Sequence, residues 1–202
     1  MKPVPFALMR HAPTAWNEDG RLQGLTDTDL SPAGEAQARR WRLPPPADAW
    51  RRLCSPLRRA RRTAELIAPR SAVSVEPRLR EMAFGAWEGS TLSQLRATEG
   101  ESFAAAERLG LDFHPPGGES PRQAMARLAQ WTGELAAPAV AVSHKAAIRA
   151  LLALATGWDM TGKPPLRLDW RCLHFFSAHS DGSVTLDRPN VPLLVETPEG
   201  VR

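Results

Sequence analysis

Two apolar runs in this chain stop on the same kind of residue. VPFALM, residues 4–9, ends at Arg10 and His11, and PAVAV, residues 138–142, ends at Ser143 and His144. A guanidinium grips phosphate oxygens in pairs, and an imidazole exchanges a proton near neutral pH. Taken singly, each residue has a plain structural reading. A histidine at a strand end is commonly solvated or capped, and Arg10 can pair with a nearby carboxylate. Taken together, they could hold an anion and do chemistry on it, provided the two strands end side by side.

The pattern between them supplies the strands. Continuous apolar runs such as residues 4–9 suit strands buried on both faces. Ser31 with Pro32 signals a helix start, and the spacing predicts that helix to about Trp41. Arg52 to Ser55 reads as a short strand, 57–67 as a helix, and 72–75 as a short edge strand. Short helices are expected over 91–97 and 102–109, then a loop, DFHPPGGESP, and a helix over 121–135. Helix 145–155 follows the strand 138–143, and 167–177 reads as a longer strand. Val184 to Leu186 could pair with it across the Asp181-Gly182 turn. The last dozen residues are Pro-rich and expected to be loose.

Strands alternating with helices predict an α/β, three-layer sandwich: a mostly parallel central sheet with helices on both faces. Ligands of such sheets bind outside the carboxyl ends of the strands. Arg10-His11 and Ser143-His144 would then share one rim.

Composition sets the limits. A chain of 202 residues suits one domain with a small insertion, and buries roughly 70% of its unfolded surface without staples. Cys54 and Cys172 sit in apolar surroundings and read as two buried thiols in a reducing compartment. The N-terminal apolar run is too short for a signal peptide, and His144, Lys145 and Arg149 interrupt the longest apolar stretch. These readings predict a soluble, cytoplasmic protein. The net charge is +4, and of 26 basic residues only Lys2, Lys145 and Lys163 are lysine. Arginine in that proportion suits nucleic acid or small phosphates, and the absence of a polybasic tail leans towards a small anion.

At this point the ordered motifs matter. Arg10-His11-Ala12-Pro13-Thr14-Ala15-Trp16-Asn17 is followed by GRLQGLTDTDLSPAG at 20–34 and SPLRRARRTA at 55–64. LREMAFGAWEG at 79–89, PGGES at 116–120 and Ser143-His144 complete the series. The set resembles the histidine phosphatase superfamily, also called phosphoglycerate mutase-like, over about residues 5–155. The resemblance implies a single domain over 1–202, with 90–120 as a capping segment that chooses the substrate.

It also implies roles. His11 would be a nucleophile that is transiently phosphorylated. Arg10, Arg59 and His144 would surround the phosphoryl oxygens, with Asn17 adding a hydrogen bond, and Glu81 would protonate the leaving alkoxide. Gln23 and Gly24 would line the substrate mouth. The physics suits these roles, because phosphoryl transfer is stabilised by preplaced cationic donors. No cofactor is implied, and no cluster has metal-ligand spacing.

Two positions depart from the family pattern, which has Gly where Ala12 and Lys145 stand. Ala12 is a small change. Lys145 puts an ammonium at the phosphate pocket or its rim, where it could meet a distal anionic part of the substrate; a solvated helix-start lysine is the plain alternative. Of the run Arg58, Arg59, Arg61 and Arg62, Arg59 is expected inward and the others on a solvated or ion-paired face. Glu88 reads as structural or solvent-facing, His114 as a cap-loop residue, and His174 and His179 as core or surface residues.

The resemblance points to a phosphoric monoester hydrolase working through phosphohistidine on a small phosphorylated metabolite, with α-ribazole phosphate one candidate. A cofactor-dependent phosphoglycerate mutase is the enzymatic alternative. The short span between WEG and PGGES, and the absence of any tyrosine, favour hydrolysis. A non-catalytic module that holds phosphate or RNA is the alternative of another class, and it would need neither nucleophile nor acid. The expected partner is a small phosphomonoester rather than nucleic acid or membrane, with the protein a monomer or homodimer.

Overall fold

The computed structural model describes residues 2–69 and 71–195. Its strands are β1 (Val4–Arg10), β2 (Trp41–Arg42), β3 (Arg51–Cys54), β4 (Val73–Val75), β5 (Ala139–Ser143), β6 (Cys172–Ala178), β7 (Val184–Pro192) and β8 (Leu194–Val195). Its helices are α1 (Ala15–Glu18), α2 (Pro32–Arg40), α3 (Arg58–Ile67), α4 (Leu92–Glu99), α5 (Glu101–Glu107), α6 (Pro121–Gly133) and α7 (Lys145–Thr156). Six strands form one sheet in the order β4-β3-β5-β1-β6-β7, and β2 with β8 forms a separate two-stranded ribbon. The first four strands of that order are parallel, while β6 and β7 run antiparallel.

The expected three layers are present. Along β1 successive side chains point to opposite faces. Phe6 and Leu8 enter a core with Leu128 and Trp131 of α6 and Ile148 and Leu151 of α7. Ala7 and Met9 enter the opposite core with Ala38 of α2 and Ala60 and Ala64 of α3. Phe6 stacks on Phe176 at 5.4 Å and meets the edge of Trp131 at 5.4 Å. Truncating such a fully buried phenylalanine to alanine costs about 3–5 kcal/mol.

Local chemistry sets the helix starts. The Ser31 hydroxyl accepts from the Gly34 amide at 3.1 Å, ahead of Pro32 at the first helical position. Thr91 with Gln94, and Ser120 with Gln123, make reciprocal caps on α4 and α6. The segment 90–120 carries α4 and α5, and Leu95 and Phe103 pack on Trp87 in a small core of their own.

Three stretches differ from the sequence reading. The strand expected over 167–177 begins only at Cys172, because the Asp169 carboxylate accepts from the Arg171 amide at 3.0 Å and turns the chain. β7 continues well beyond Leu186, to Pro192, as an edge strand of irregular register with Asn190 at positive φ. Its prolines are tolerated there because an outer edge needs no donors. The tail expected to be loose therefore begins in β7, and β8 pairs with β2; the remainder of that expectation lies outside the described residues. Cys54 and Cys172 are buried free thiols, as expected. Among the described residues no helix is long and apolar enough to cross a membrane.

Candidate active site

The register of the central strands builds the site. β1 and β5 are parallel with Arg10 opposite Ser143, so the residues that follow, His11 and His144, emerge together. The His11 amide donates to the Ser143 carbonyl at 3.0 Å, extending the ladder by one step. β3 flanks β5 on the other side, and the Ser55 amide donates to the Val142 carbonyl at 3.0 Å. Three strand ends thus deliver His11, His144 and Ser55 to one rim. The two imidazoles lie with centroids 5.2 Å apart.

Each ring is held in one orientation. His11 Nδ1 is 2.7 Å from the Ala12 carbonyl, which can only accept, so Nδ1 carries the proton and Nε2 keeps its lone pair. Burial pushes the His11 imidazole well below its ordinary value, and Arg10 and Arg59 push it the same way. A neutral imidazole whose Nε2 keeps its lone pair is a nucleophile. His144 Nε2 is 2.7 Å from the Ser55 hydroxyl. That hydroxyl accepts from the Leu57 amide at 3.3 Å and keeps its own hydrogen to give to Nε2; with that assignment the ring proton sits on Nδ1. Burial, then Arg59, His11 and Arg10, hold His144 well below the usual imidazole range as well.

The cations converge on the same place. Arg59 is fully buried, and its terminal nitrogens donate to the carbonyls of Gly24 at 2.8 Å and Thr26 at 2.9 Å. Burial lowers Arg10 and Arg59 from their usual values, and Glu81 counteracts this in both. Arg10 forms no ion pair among the described residues. Arg10 Nε, Arg59 Nε and His144 Nδ1 are all buried without a hydrogen-bond partner. A buried donor left unpaired costs about 1–3 kcal/mol. Three of them on one rim make a site preorganised for an anion.

Glu81 completes it. Its carboxylate is buried and accepts from the amides of Met82 at 2.9 Å, Ala147 at 3.1 Å and Ala146 at 3.2 Å, the last two in the first turn of α7. Arg127 donates to the Glu81 carbonyl at 3.3 Å and forms a forked pair with Glu119 at 2.8 and 2.9 Å, which fixes the backbone carrying the acid. Two amides of the first turn of α7 thus hold this carboxylate beside the strand end that carries His144.

The remaining predicted residues fall into two groups. Asn17 Oδ1 is engaged by the Thr14 amide at 3.1 Å and the Thr14 hydroxyl at 3.2 Å, capping α1, so only its amide nitrogen can meet an anion. Gln23 is buried with its carbonyl oxygen bound by the Thr28 hydroxyl at 2.6 Å. Gly24 acts through Arg59, whose fork its carbonyl receives. Its φ is +54°, and a Cβ there would stand 2.0 Å from Glu88 Oε1. Lys145 is exposed at the rim, its Nζ 5.8 Å from the centroid of Trp170.

Glu88 is structural, as the sequence suggested, with a definite task. It accepts from the Leu25 and Thr26 amides, the Thr26 hydroxyl and the Phe84 amide, tying down the loop whose carbonyls hold Arg59. Burial alone would raise it, but those hydrogen bonds win and hold the carboxyl below its usual value. Arg58 pairs with Asp29 at 2.8 Å and Arg62 with Glu35 at 2.7 Å, on the outer face as expected. His114 is exposed, His174 is fully buried in the core and His179 is partly exposed. Among the described residues no three His, Cys, Asp or Glu side chains gather as a metal-binding group.

Two residues were not singled out from the sequence. Ser55 orients His144. Thr63 accepts from the Ala12 amide at 3.0 Å and donates to the Arg59 carbonyl at 2.7 Å, joining α3 to the turn after His11. The signal for both was positional: Ser55 ends a strand, and Thr63 stands one helical turn after Arg59.

Comparison with known proteins agrees with this geometry. The family profile described as histidine phosphatase superfamily (branch 1) matches residues 6–191. A 2,3-bisphosphoglycerate-dependent phosphoglycerate mutase of Methylobacterium radiotolerans is 30% identical over 178 residues, covering 81% of this chain and 84% of the relative. A glucosyl-3-phosphoglycerate phosphatase of Mycobacterium tuberculosis is 32% identical over 173 residues, covering 76% of this chain and 75% of its own length. A solved Escherichia coli structure, provisionally assigned as an alpha-ribazole-5'-P phosphatase, superposes with a TM-score of 0.74 at 25% identity, covering 96% of this chain and 100% of that one.

Proposed function

The chain belongs to the histidine phosphatase superfamily, and on that premise we propose that it hydrolyses phosphomonoesters of small metabolites through a phosphohistidine at His11. The observation that carries this reading is the convergence of a neutral, oriented imidazole with three buried, unpartnered donors, Arg10 Nε, Arg59 Nε and His144 Nδ1. These donors match the equatorial oxygens of a transferring phosphoryl group.

In the first step His11 Nε2 attacks phosphorus, the bond from phosphorus to the ester oxygen breaks, and Glu81 gives its proton to the departing alkoxide. In the second, Glu81 takes a proton from water as the water oxygen attacks phosphorus. The phosphorus–nitrogen bond breaks, and inorganic phosphate and neutral His11 are restored. The segment 90–120, packed beside the rim loop, chooses the alcohol portion of the substrate. The provisional assignment of the Escherichia coli neighbour makes α-ribazole phosphate one ester to try.

A mutase reading has its own support in the Methylobacterium radiotolerans relative. There the phosphoryl group would return from His11 to the product rather than to water. The test is turnover of p-nitrophenyl phosphate and a panel of alkyl phosphomonoesters, with phosphoglycerate interconversion measured alongside. Hydrolysis lost in His11→Ala, with a phosphoryl label trapped on the wild-type chain by rapid quench into alkaline denaturant, where phosphohistidine survives, is the expected result. Interconversion that outpaces phosphate release on phosphoglycerate would favour the mutase. Glu81→Gln keeps the acceptor for the α7 amides but has no acidic proton. It should slow alkyl esters about 100-fold and p-nitrophenyl phosphate far less, because the phenolic leaving group needs little protonation. Equal losses on both would remove Glu81 from the role of acid.

A further inference from the structure

The rim carries cations that phosphoryl chemistry does not use. Lys145 follows His144 and opens α7, and Arg149 lies one turn further along the same helix face. Each is set against a tryptophan from the segment after α7: Lys145 Nζ lies 5.8 Å from the Trp170 ring and the Arg149 guanidinium 5.0 Å from the Trp158 ring. Neither makes an ion pair or a hydrogen bond to a carboxylate among the described residues. Elsewhere on this surface arginines do find carboxylates, as Arg96 does with Glu107 and Arg122 with Asp112. Partial desolvation against the rim lowers Lys145, and Arg10 and Arg149 lower it further, while Glu81 opposes them. A line of like charges, Arg10, Lys145 and Arg149, therefore runs outward from the phosphoryl site, and among the described residues no carboxylate pairs with its outer end.

Self-repulsion of that kind is unfavourable in the free protein and is relieved by an anion. The tryptophans fix the cations in place, since a cation over an aromatic face is held there by about 0.5–1 kcal/mol at an exposed site.

We infer that Lys145 and Arg149, each braced by a tryptophan, form a second anion subsite that selects phosphomonoesters bearing a further negative group, a carboxylate or a second phosphate, on the alcohol portion. This rests on the reading of the rim as a phosphomonoester site. Lys145 touches the second anion, and Trp170 is a positioning residue that acts through Lys145.

Binding tests it without turnover. In a His11→Ala background, calorimetry compares 3-phosphoglycerate and glycerol 1,3-bisphosphate with glycerol 3-phosphate, whose tail is neutral. The doubly anionic esters should bind about tenfold more tightly, the scale of one charge-assisted hydrogen bond. Adding Lys145→Gln should remove most of that ratio, Lys145→Arg should retain it, and Trp170→Leu should weaken it. A preference for one doubly anionic ester over the other identifies the second group as carboxylate or phosphate. If Lys145→Gln weakens all three esters equally, the lysine serves only as a counter-charge to Glu81 and the inference falls. Equal affinity of the parent for all three esters would also overturn it. Failure of the hydrolase reading would show separately, as absent phosphate release by the wild type, whatever the binding ratio.

Discussion

His144 and His174 are both fully buried on the same sheet, and each keeps one ring nitrogen without a hydrogen-bond partner. Burial pushes both below the usual imidazole range, His174 to about 4. Their surroundings differ. His144 stands at a strand end, braced by Ser55, with His11, Arg10 and Arg59 close by. His174 lies inside β6 opposite Leu8, accepts from the Asn190 amide at 3.2 Å, and has the Trp170 ring 6.4 Å away. The charge that acts on it is Asp169, which raises it. A buried imidazole with an idle nitrogen is therefore no mark of chemistry in itself. What separates the rim from the β6 corner is the sign of the neighbouring charge and the position at the end, rather than the middle, of a strand.

The largest expected difference between the two regions is in turnover. His11→Ala should lower phosphatase activity at least about 1000-fold, because nothing else on the rim can form the covalent intermediate. His174→Asn, which keeps an acceptor near the place of Nδ1, should change kcat/KM by less than about twofold. Kinetics on the two variants with p-nitrophenyl phosphate decide it. Comparable losses would mean that the corner takes part in the reaction and that the contrast is false.

Stability should respond to both regions in the same direction. A histidine lowered from 6.5 to about 4 in the fold is protonated in the unfolded chain first, so the unfolded state binds more protons between those values. Folding stability then falls as pH drops from 6.5 towards 4, by about 3 kcal/mol from this one group. Denaturant unfolding at pH 7 and pH 4.5 should give a shallower pH dependence for His174→Asn than for the wild type. His11 and His144 are shifted in the same direction and should add to the acid sensitivity that remains.

The site was more legible than its supports, for a physical reason. Arg10, His11 and His144 are readable because a charged or titratable side chain at the end of an apolar run conflicts with burial, and the conflict marks them, whereas Arg59, inside a run of arginines on a helix, was picked out only by the family resemblance. The parallel sheet was readable from the continuous apolar runs, and α2 and α6 from Ser-Pro starts. Ser55 and Thr63 were passed over because a buried hydroxyl obeys no such conflict; its importance lies in what it touches. The seat of Glu81 against α7 depended on a contact between positions 81 and 147, which no local pattern encodes. β7 was shortened because Pro189 and Pro192 argue against a strand unless its edge position is known.

Ser55 offers a smaller effect that probes the rim alone. Ser55→Ala leaves His144 Nε2 without its partner and lets the ring choose its tautomer. A loss of about tenfold in kcat/KM is expected, the scale of one hydrogen bond of about 1.4 kcal/mol. Ser55→Thr should recover most of it if the threonine methyl is accommodated, since the hydroxyl is what orients the ring. An unchanged kcat/KM in Ser55→Ala would show that the imidazole is held by packing alone.

The smallest effect separates the regions by direction. In the rim, Arg10 follows burial as a cause of the low His11 value, so Arg10→Gln should move the acid limb of kcat/KM towards neutral pH while burial keeps it below the ordinary imidazole range. Because His11 and His144 influence each other, that limb reports the pair rather than either ring. In the corner, Asp169→Asn removes the charge that raises His174, so its titration, followed by NMR, should move to still lower pH. Neutralising one neighbour thus shifts one imidazole up and the other down. Shifts of the same sign in both places would mean that burial alone governs these rings, and the electrostatic distinction between a site and a core histidine would not hold in this fold.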